Sequence, residues 1–161
     1  MAWSAPPTFV TGAVLTAAQL QTLSDDLTDL DRRTTPVAAG DGSVRTTNST
    51  VYVSLGTAAV TCTIGSTGKA LVTLYSSFQG DTVGMLVIMS YQITGAFSYG
   101  PSDSDALTYQ VSDALFSSRH GATHVATGIT PGSCTFTAKY GVSSGTGSFK
   151  DSRITVTPLG A

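Results

Sequence analysis

Apolar positions follow two rhythms along this chain. Leucines recur at Leu20, Leu23, Leu27 and Leu30, spaced three, four and three apart, which is the a/d seam of a short helix. From about residue 49 the period shortens to two. Thr50-Val51-Tyr52-Val53-Ser54-Leu55 and Val60-Thr61-Cys62-Thr63-Ile64 alternate as half-buried strands do. These two runs belong to predicted strands at 50–55 and 59–64, and further runs rich in Val, Thr, Tyr and Phe at 69–78, 84–93, 106–111, 122–127, 134–142 and 153–157 complete a set of about eight. Within them Met85-Leu86-Val87-Ile88-Met89 is continuously apolar, which predicts a central strand covered on both faces. Clusters of Gly, Pro, Ser and Asp separate the runs at intervals near ten residues. The expectation is a mainly β protein, an antiparallel β-sandwich of jelly-roll-like or related two-sheet type, preceded by an extended N-terminal lead and one short helix. No repeat of fixed period points to a propeller or a solenoid.

This patterning divides the chain into an extended anchor at 1–14, an oligomerisation helix at 15–33, a linker at 34–48 and a β-sandwich domain at 49–161. The helix start is well marked. Thr16 as N-cap and Gln19 three residues on form a capping box, and Leu15 and Leu20 flank it as a hydrophobic staple. Asp25, Asp26, Asp29 and Asp31 oppose the helix dipole, Arg32 and Arg33 favour it, and Pro36 ends the pattern. A lone helix of this length is marginal in water, so its leucine face must pack on something. Two partners are open to it: an edge of the sandwich in the same chain, or copies of itself. Self-association through Leu20, Leu23, Leu27 and Leu30 is the expectation. Ahead of the helix, Trp3, Pro6, Pro7, Phe9 and Val10 read as an apolar lead that anchors the chain to a partner, the prolines holding it extended and the aromatics supplying contact area. The linker assignment rests on Pro36, Gly40, Gly42 and the Ser/Thr/Asn-rich run that follows.

Composition narrows the function classes. The 161 residues carry 8 Lys+Arg against 10 Asp+Glu, every acid an Asp, for a net charge of −2. Without a basic stripe, nucleic acid is not an expected partner. With 41% hydrophobic residues in alternating runs the chain can fill a core. No basic and apolar leader of secretory type and no apolar run of membrane-spanning length stands out, so the chain is expected to be made and used soluble. Cys62 and Cys134 both fall inside strand-like alternation and read as buried free thiols rather than a disulfide.

Candidate chemistry is sparse. His120 and His124, four apart with no Glu after the first, fail the helical metalloprotease pattern, and on a strand they stand about 13 Å apart, beyond the reach of one metal. Gly65-Ser66-Thr67-Gly68-Lys69-Ala70 lacks the first glycine, the Ser/Thr after the lysine and the helix of a phosphate loop, and reads as a hairpin turn. Asp103 and Asp105 are too few for a calcium site and lack the environment that raises one carboxyl for glycoside hydrolysis; a solvated loop is the reading. No Gly-x-Ser-x-Gly elbow is flanked by strand and helix. The chain therefore reads as non-enzymatic, with no cofactor and no metal. Tyr91, Phe97, Tyr99, Tyr109 and Phe116 cluster between residues 91 and 116, and read mainly as core, although aromatic loops can also stack on sugar rings.

One stretch carries a resemblance. Trp3-Ser4-Ala5-Pro6-Pro7-Thr8-Phe9-Val10-Thr11-Gly12-Ala13-Val14-Leu15-Thr16-Ala17-Ala18-Gln19-Leu20, followed by Leu23-Ser24-Asp25-Asp26-Leu27, resembles the N-terminal segment of virion structural proteins of tailed phages of actinobacteria. It covers about a fifth of the chain, and departs from the usual pattern at Gln21, where Asn is common. Asp81-Thr82-Val83-Gly84, Thr130-Pro131-Gly132 and Phe136-Thr137-Ala138-Lys139-Tyr140-Gly141-Val142 look like a C-terminal sandwich of the same kind of protein. The resemblance implies a virion component assembled in the host bacterial cytoplasm: a capsid decoration protein that docks on the major capsid protein, or on a tail protein, through its N-terminus. Trimer is the oligomer implied by the look of phage appendages, since leucine at both a and d does not set the number. The alternative is a tail or head appendage that binds host-surface glycans through its sandwich.

Overall fold

The computed structural model describes residues 12, 14–56, 58–114 and 116–160, with the side chains of 29 and 31–34 excepted. The anchor residues Trp3, Pro6, Pro7, Phe9 and Val10 lie outside the described residues, as do the side chains of Asp29, Asp31, Arg32 and Arg33. Among the described residues one α-helix, α1 (Ala17–Thr34), precedes nine strands: β1 (Val37–Asp41), β2 (Arg45–Thr47), β3 (Ala59–Ile64), β4 (Ala70–Gly80), β5 (Leu86–Gly95), β6 (Leu107–Gln110), β7 (Ser118–Ala126), β8 (Gly132–Val142) and β9 (Gly147–Pro158).

The strands form two antiparallel sheets, β1-β9-β4-β7 with β2 also on β9, and β3-β8-β5-β6. Four of the pairings nest about the middle of the chain: β1 with β9, β3 with β8, β4 with β7, and β5 with β6. A long hairpin rolled up in this way is a jelly roll, so the sandwich expected from period-two alternation is what the chain forms. Inward positions of the two sheets meet in one core that includes Val72, Phe78, Val87, Met89, Phe136, Phe149 and Ile154, all with essentially no exposure. Rings interlock there, Phe149 standing edge-on to Phe78 at 5.6 Å and to Tyr140 at 4.8 Å. Polar groups between the sheets pair with one another, as in the Ser76–Ser152 hydroxyl contact of 2.9 Å. Close by, the β4–β9 register shifts, and Asp151 takes up a positive φ of 54° while its carboxylate accepts from Arg119 at 3.1 Å.

Three expectations need correction. Residues 34–48 are not a free linker: Val37–Asp41 and Arg45–Thr47 pair with β9 along two stretches of its length. Small side chains hid this, because β1 is Val-Ala-Ala-Gly-Asp and gains its place by pairing rather than by its own β-propensity. Residues 50–55 alternate better than any other run, yet make only the isolated bridge Val53 to Tyr140 alongside the C-terminal half of β8. The run 85–89 is central in its sheet but not sealed on both faces, since Val87 and Met89 are buried while Leu86 and Ile88 are half-buried on the outer face.

Candidate functional site

Two features outside the core carry chemistry or contact potential. The first is the apolar face of α1. Its start is the expected capping box: the backbone N–H of Thr16 donates to Gln19 Oε1 at 2.9 Å, and that of Gln19 donates to Thr16 Oγ1 at 3.2 Å. Gln21 Nε2 donates to Asp25 Oδ1 one turn on, at 2.7 Å. The helix leans on β9, but this does not cover the seam. Leu20 is 52% exposed, Leu27 67% and Leu30 40%, whereas Leu23 is half-buried; Val14, just before the cap, is 90% exposed. Apolar residues left in water in a contiguous row along one helix face mark a contact surface.

The second feature is a cleft between the sheets at one end of the sandwich. It exists because β6 is only four residues long and pairs with the first four residues of β5, so the rest of β5 has no full strand on that side. The chain turns back at Gly95, whose φ of +109° and whose missing Cβ, 2.5 Å from Ser133 O if present, admit only glycine. The returning Tyr99 makes a two-way backbone pair with Ile93 at 2.9 and 3.0 Å. Ser90 Oγ donates to Ser102 O at 2.9 Å and accepts from Ser102 N–H at 3.2 Å, holding the next segment over β5. A short 3-10 turn at Asp103–Asp105 follows, its first residues capped by Ser102.

That turn aims its two carboxylates in different directions. Asp103 accepts from Tyr52 OH at 2.5 Å on the outer face of the sheet. Asp105 accepts from Tyr99 OH at 2.5 Å on Oδ2, and its Oδ1 lies 3.3 Å from Nε2 of His124 on β7, so one carboxylate with 10% of its side chain exposed spans both sheets. The cleft has a volume of about 230 Å³. Buried Ile93, Ala126 and Ile129 form its apolar floor, and half-buried Phe97 and Tyr99 form one wall, with Asp105 and His124 beside them. Tyr91 packs beneath against Tyr99 and His124 at 6.2 and 6.3 Å. Burial first, then the Asp105 charge, pushes the Tyr91 phenol above its ordinary range. For Tyr99 the hydrogen bond to Asp105 is the main cause of the same rise.

The other candidates fall apart spatially. His120 and His124 both sit on β7, but the His120 ring packs tilted against Tyr109 at 4.9 Å and Phe78 at 6.0 Å, while His124 faces Asp105. Among the described residues His120 Nε2 is buried without a hydrogen-bond partner. Asp103 and Asp105 serve two different tyrosines rather than one ligand. Gly65–Lys69 is a turn closed by Gly68 N–H to Gly65 O at 3.1 Å. Tyr91 and Tyr109 are buried, Phe97 and Tyr99 half-buried, and Phe116 is 59% exposed. Cys62 and Cys134 are free thiols directly opposite each other on β3 and β8; burial, then the neighbouring Cys134, pushes Cys62 up to about 11. Sequence reading missed the joining of Asp105, Tyr99 and His124, and no local signal announces it, because it depends on where β6 stops.

No protein-family model matches the sequence, and no curated protein matches it. Among solved structures the chain is similar to one in the structure of infectious bursal disease virus Gx strain, with 14% identity and a TM-score of 0.50 over 78% of this chain and 32% of that one. Weaker likenesses are to the Gt strain of the same virus (14% identity, TM-score 0.44, 78% and 32% covered) and to Podospora anserina GH26-CBM35 β-(1,4)-mannanase (18% identity, TM-score 0.32, 80% and 29% covered). The chain spans about a third of the length of each of these. The likeness to the Gx-strain chain is one of fold, and the weaker two add nothing to it.

Proposed function

We propose that this chain is a virion structural protein, a capsid decoration protein of a tailed phage that docks on the shell through its N-terminal lead, self-associates through α1 as a trimer and displays its jelly roll outward. The observation that carries the reading is the uncovered leucine seam. Burying each leucine contributes on the order of 1.5–3 kcal/mol, and in this chain Leu20 and Leu27 forgo most of it. Packing three copies of α1 about one axis recovers that term and sets three leads side by side, so that weak contacts to a capsid subunit add through effective concentration. A fold shared with a chain of a virus particle and the phage-like N-terminal motif support the same reading. The role is one of contact, not catalysis, and it requires no cofactor.

Sedimentation equilibrium of the full chain tests it. The expected mass is three times 16.5 kDa, falling to one times that value for Leu23→Asp with Leu27→Asp while strand content is kept. A monomeric wild-type chain, or an unchanged oligomer in the double variant, defeats self-association through this seam. Removing residues 1–14 is expected to abolish binding to phage particles while the oligomer persists.

A further inference from the structure

The geometry points to the cleft between Asp105 and Phe97 as a binding site for a single pyranose ring of a saccharide. A pyranose is amphipathic: its C–H face is apolar and its rim carries hydroxyls. The cleft divides the same way. Ile93 and Ile129 give an apolar floor and Phe97 an aromatic wall, while Asp105 and His124 stand together at the polar side. Stacking a C–H face on an aromatic ring and holding adjacent hydroxyls on a carboxylate are matching halves of one contact.

The carboxylate has capacity to spare. An ionised carboxylate offers about four acceptor positions, and Asp105 uses one for Tyr99 OH and one toward His124. Those two partners also fix its plane, so it is positioned before a ligand arrives, which lowers the ordering cost of binding. The size fits: about 230 Å³ of half-open space takes one sugar ring and not an extended chain. An organic cation fits less well. The rings of Tyr91 and Tyr99 pack on each other at 6.2 Å rather than facing one another across a gap, so they form no cage, and a cation would compete with His124 for the one carboxylate. This site is independent of α1, and its failure leaves the proposed oligomeric role untouched.

Saturation-transfer NMR on the full-length protein tests it, using D-glucose, D-galactose, D-mannose, N-acetyl-D-glucosamine and L-rhamnose as probes, with tetramethylammonium as the contrasting ligand. At least one pyranose is expected to receive saturation on its ring C–H protons, with an affinity that Phe97→Ala and Asp105→Asn each weaken at least tenfold. Asp105→Asn keeps an acceptor for Tyr99, and His124→Trp, at an inward side chain that is 40% exposed and lines the cleft, fills the cleft from the β7 side. The occluding variant therefore decides the question should Phe97→Ala disturb folding. Transfer to none of the sugars, transfer equal in wild type and His124→Trp, or binding of tetramethylammonium in their place overturns the proposal.

Discussion

The jelly roll and the helix that precedes it handle apolar surface in opposite ways. In the roll every strand faces a partner sheet: Phe136 and Ile154 have no exposure, and even the serines between the sheets are paired. In α1 a leucine row of comparable apolarity faces mostly solvent, though the helix is well capped and touches β9. The difference teaches that the roll closes its apolar surface within one chain, whereas the helix leaves a leucine face open, the face that the proposed role has another copy cover. Sheets can roll until their inner faces meet; a single helix has no such recourse, because its stripe is narrow and needs a second helix at the right spacing.

The largest expected effect separates the two regions by truncating a side chain in each. Phe136→Ala removes a fully buried ring from between the sheets and is expected to cost about 3–5 kcal/mol in urea unfolding followed by strand circular dichroism. Leu27→Ala, at 67% exposure, is expected to change the same transition by less than about 0.5 kcal/mol, while weakening association in sedimentation. Equal losses in the unfolding experiment would break the comparison and make α1 part of the roll's own core.

A second experiment uses pH to look inside the roll alone. Burial raises the phenol pKa of Tyr91, with the Asp105 charge adding to it, and burial also raises that of Tyr140. A group whose folded pKa lies above its unfolded value contributes stability that is whole below the unfolded pKa, near 10, and is lost as pH rises toward the folded one. The roll is therefore expected to destabilise above about pH 10, and phenolate absorbance is expected to show these tyrosines ionising only together with loss of strand signal. Phenolate formation by all six tyrosines near pH 10 in a folded protein would contradict their burial.

How much of this was readable in advance follows the same division. β3 spans the residues its alternation marks, and β4, β5 and β8 differ from expectation by a few residues at their ends, since one buried face imposes period two wherever large apolar residues supply it. β7 was read only in its second half, because its inward positions include His120, Ala122 and His124 rather than a row of Val and Ile. β1 and β2 were missed, and the run 50–55 was overread, for one reason: both outcomes depend on which segment pairs along β9 or β8, a long-range matter. The capping box of α1 was legible to the atom because all its partners lie within four residues. The cleft was not legible at all, because Asp105 and His124 meet across the two sheets.

The smallest expected effect sharpens the comparison from the helix side. Thr16→Ala removes the hydroxyl that accepts from Gln19 N–H and donates to Gln19 Oε1, leaving the Gln19 side chain only the backbone N–H of residue 16 at the cap. The cost is about 1 kcal/mol, confined to the helix. In the Leu23→Asp, Leu27→Asp background, where no neighbouring copy props up α1, this is expected to lower helical circular dichroism while leaving the urea midpoint of the strands in place. In the otherwise unaltered chain the same substitution is expected to show a smaller loss of helix, because association selects the helical state and offsets the missing cap. A loss of equal size in both backgrounds would mean that α1 is held by β9 alone and gains nothing from its copies.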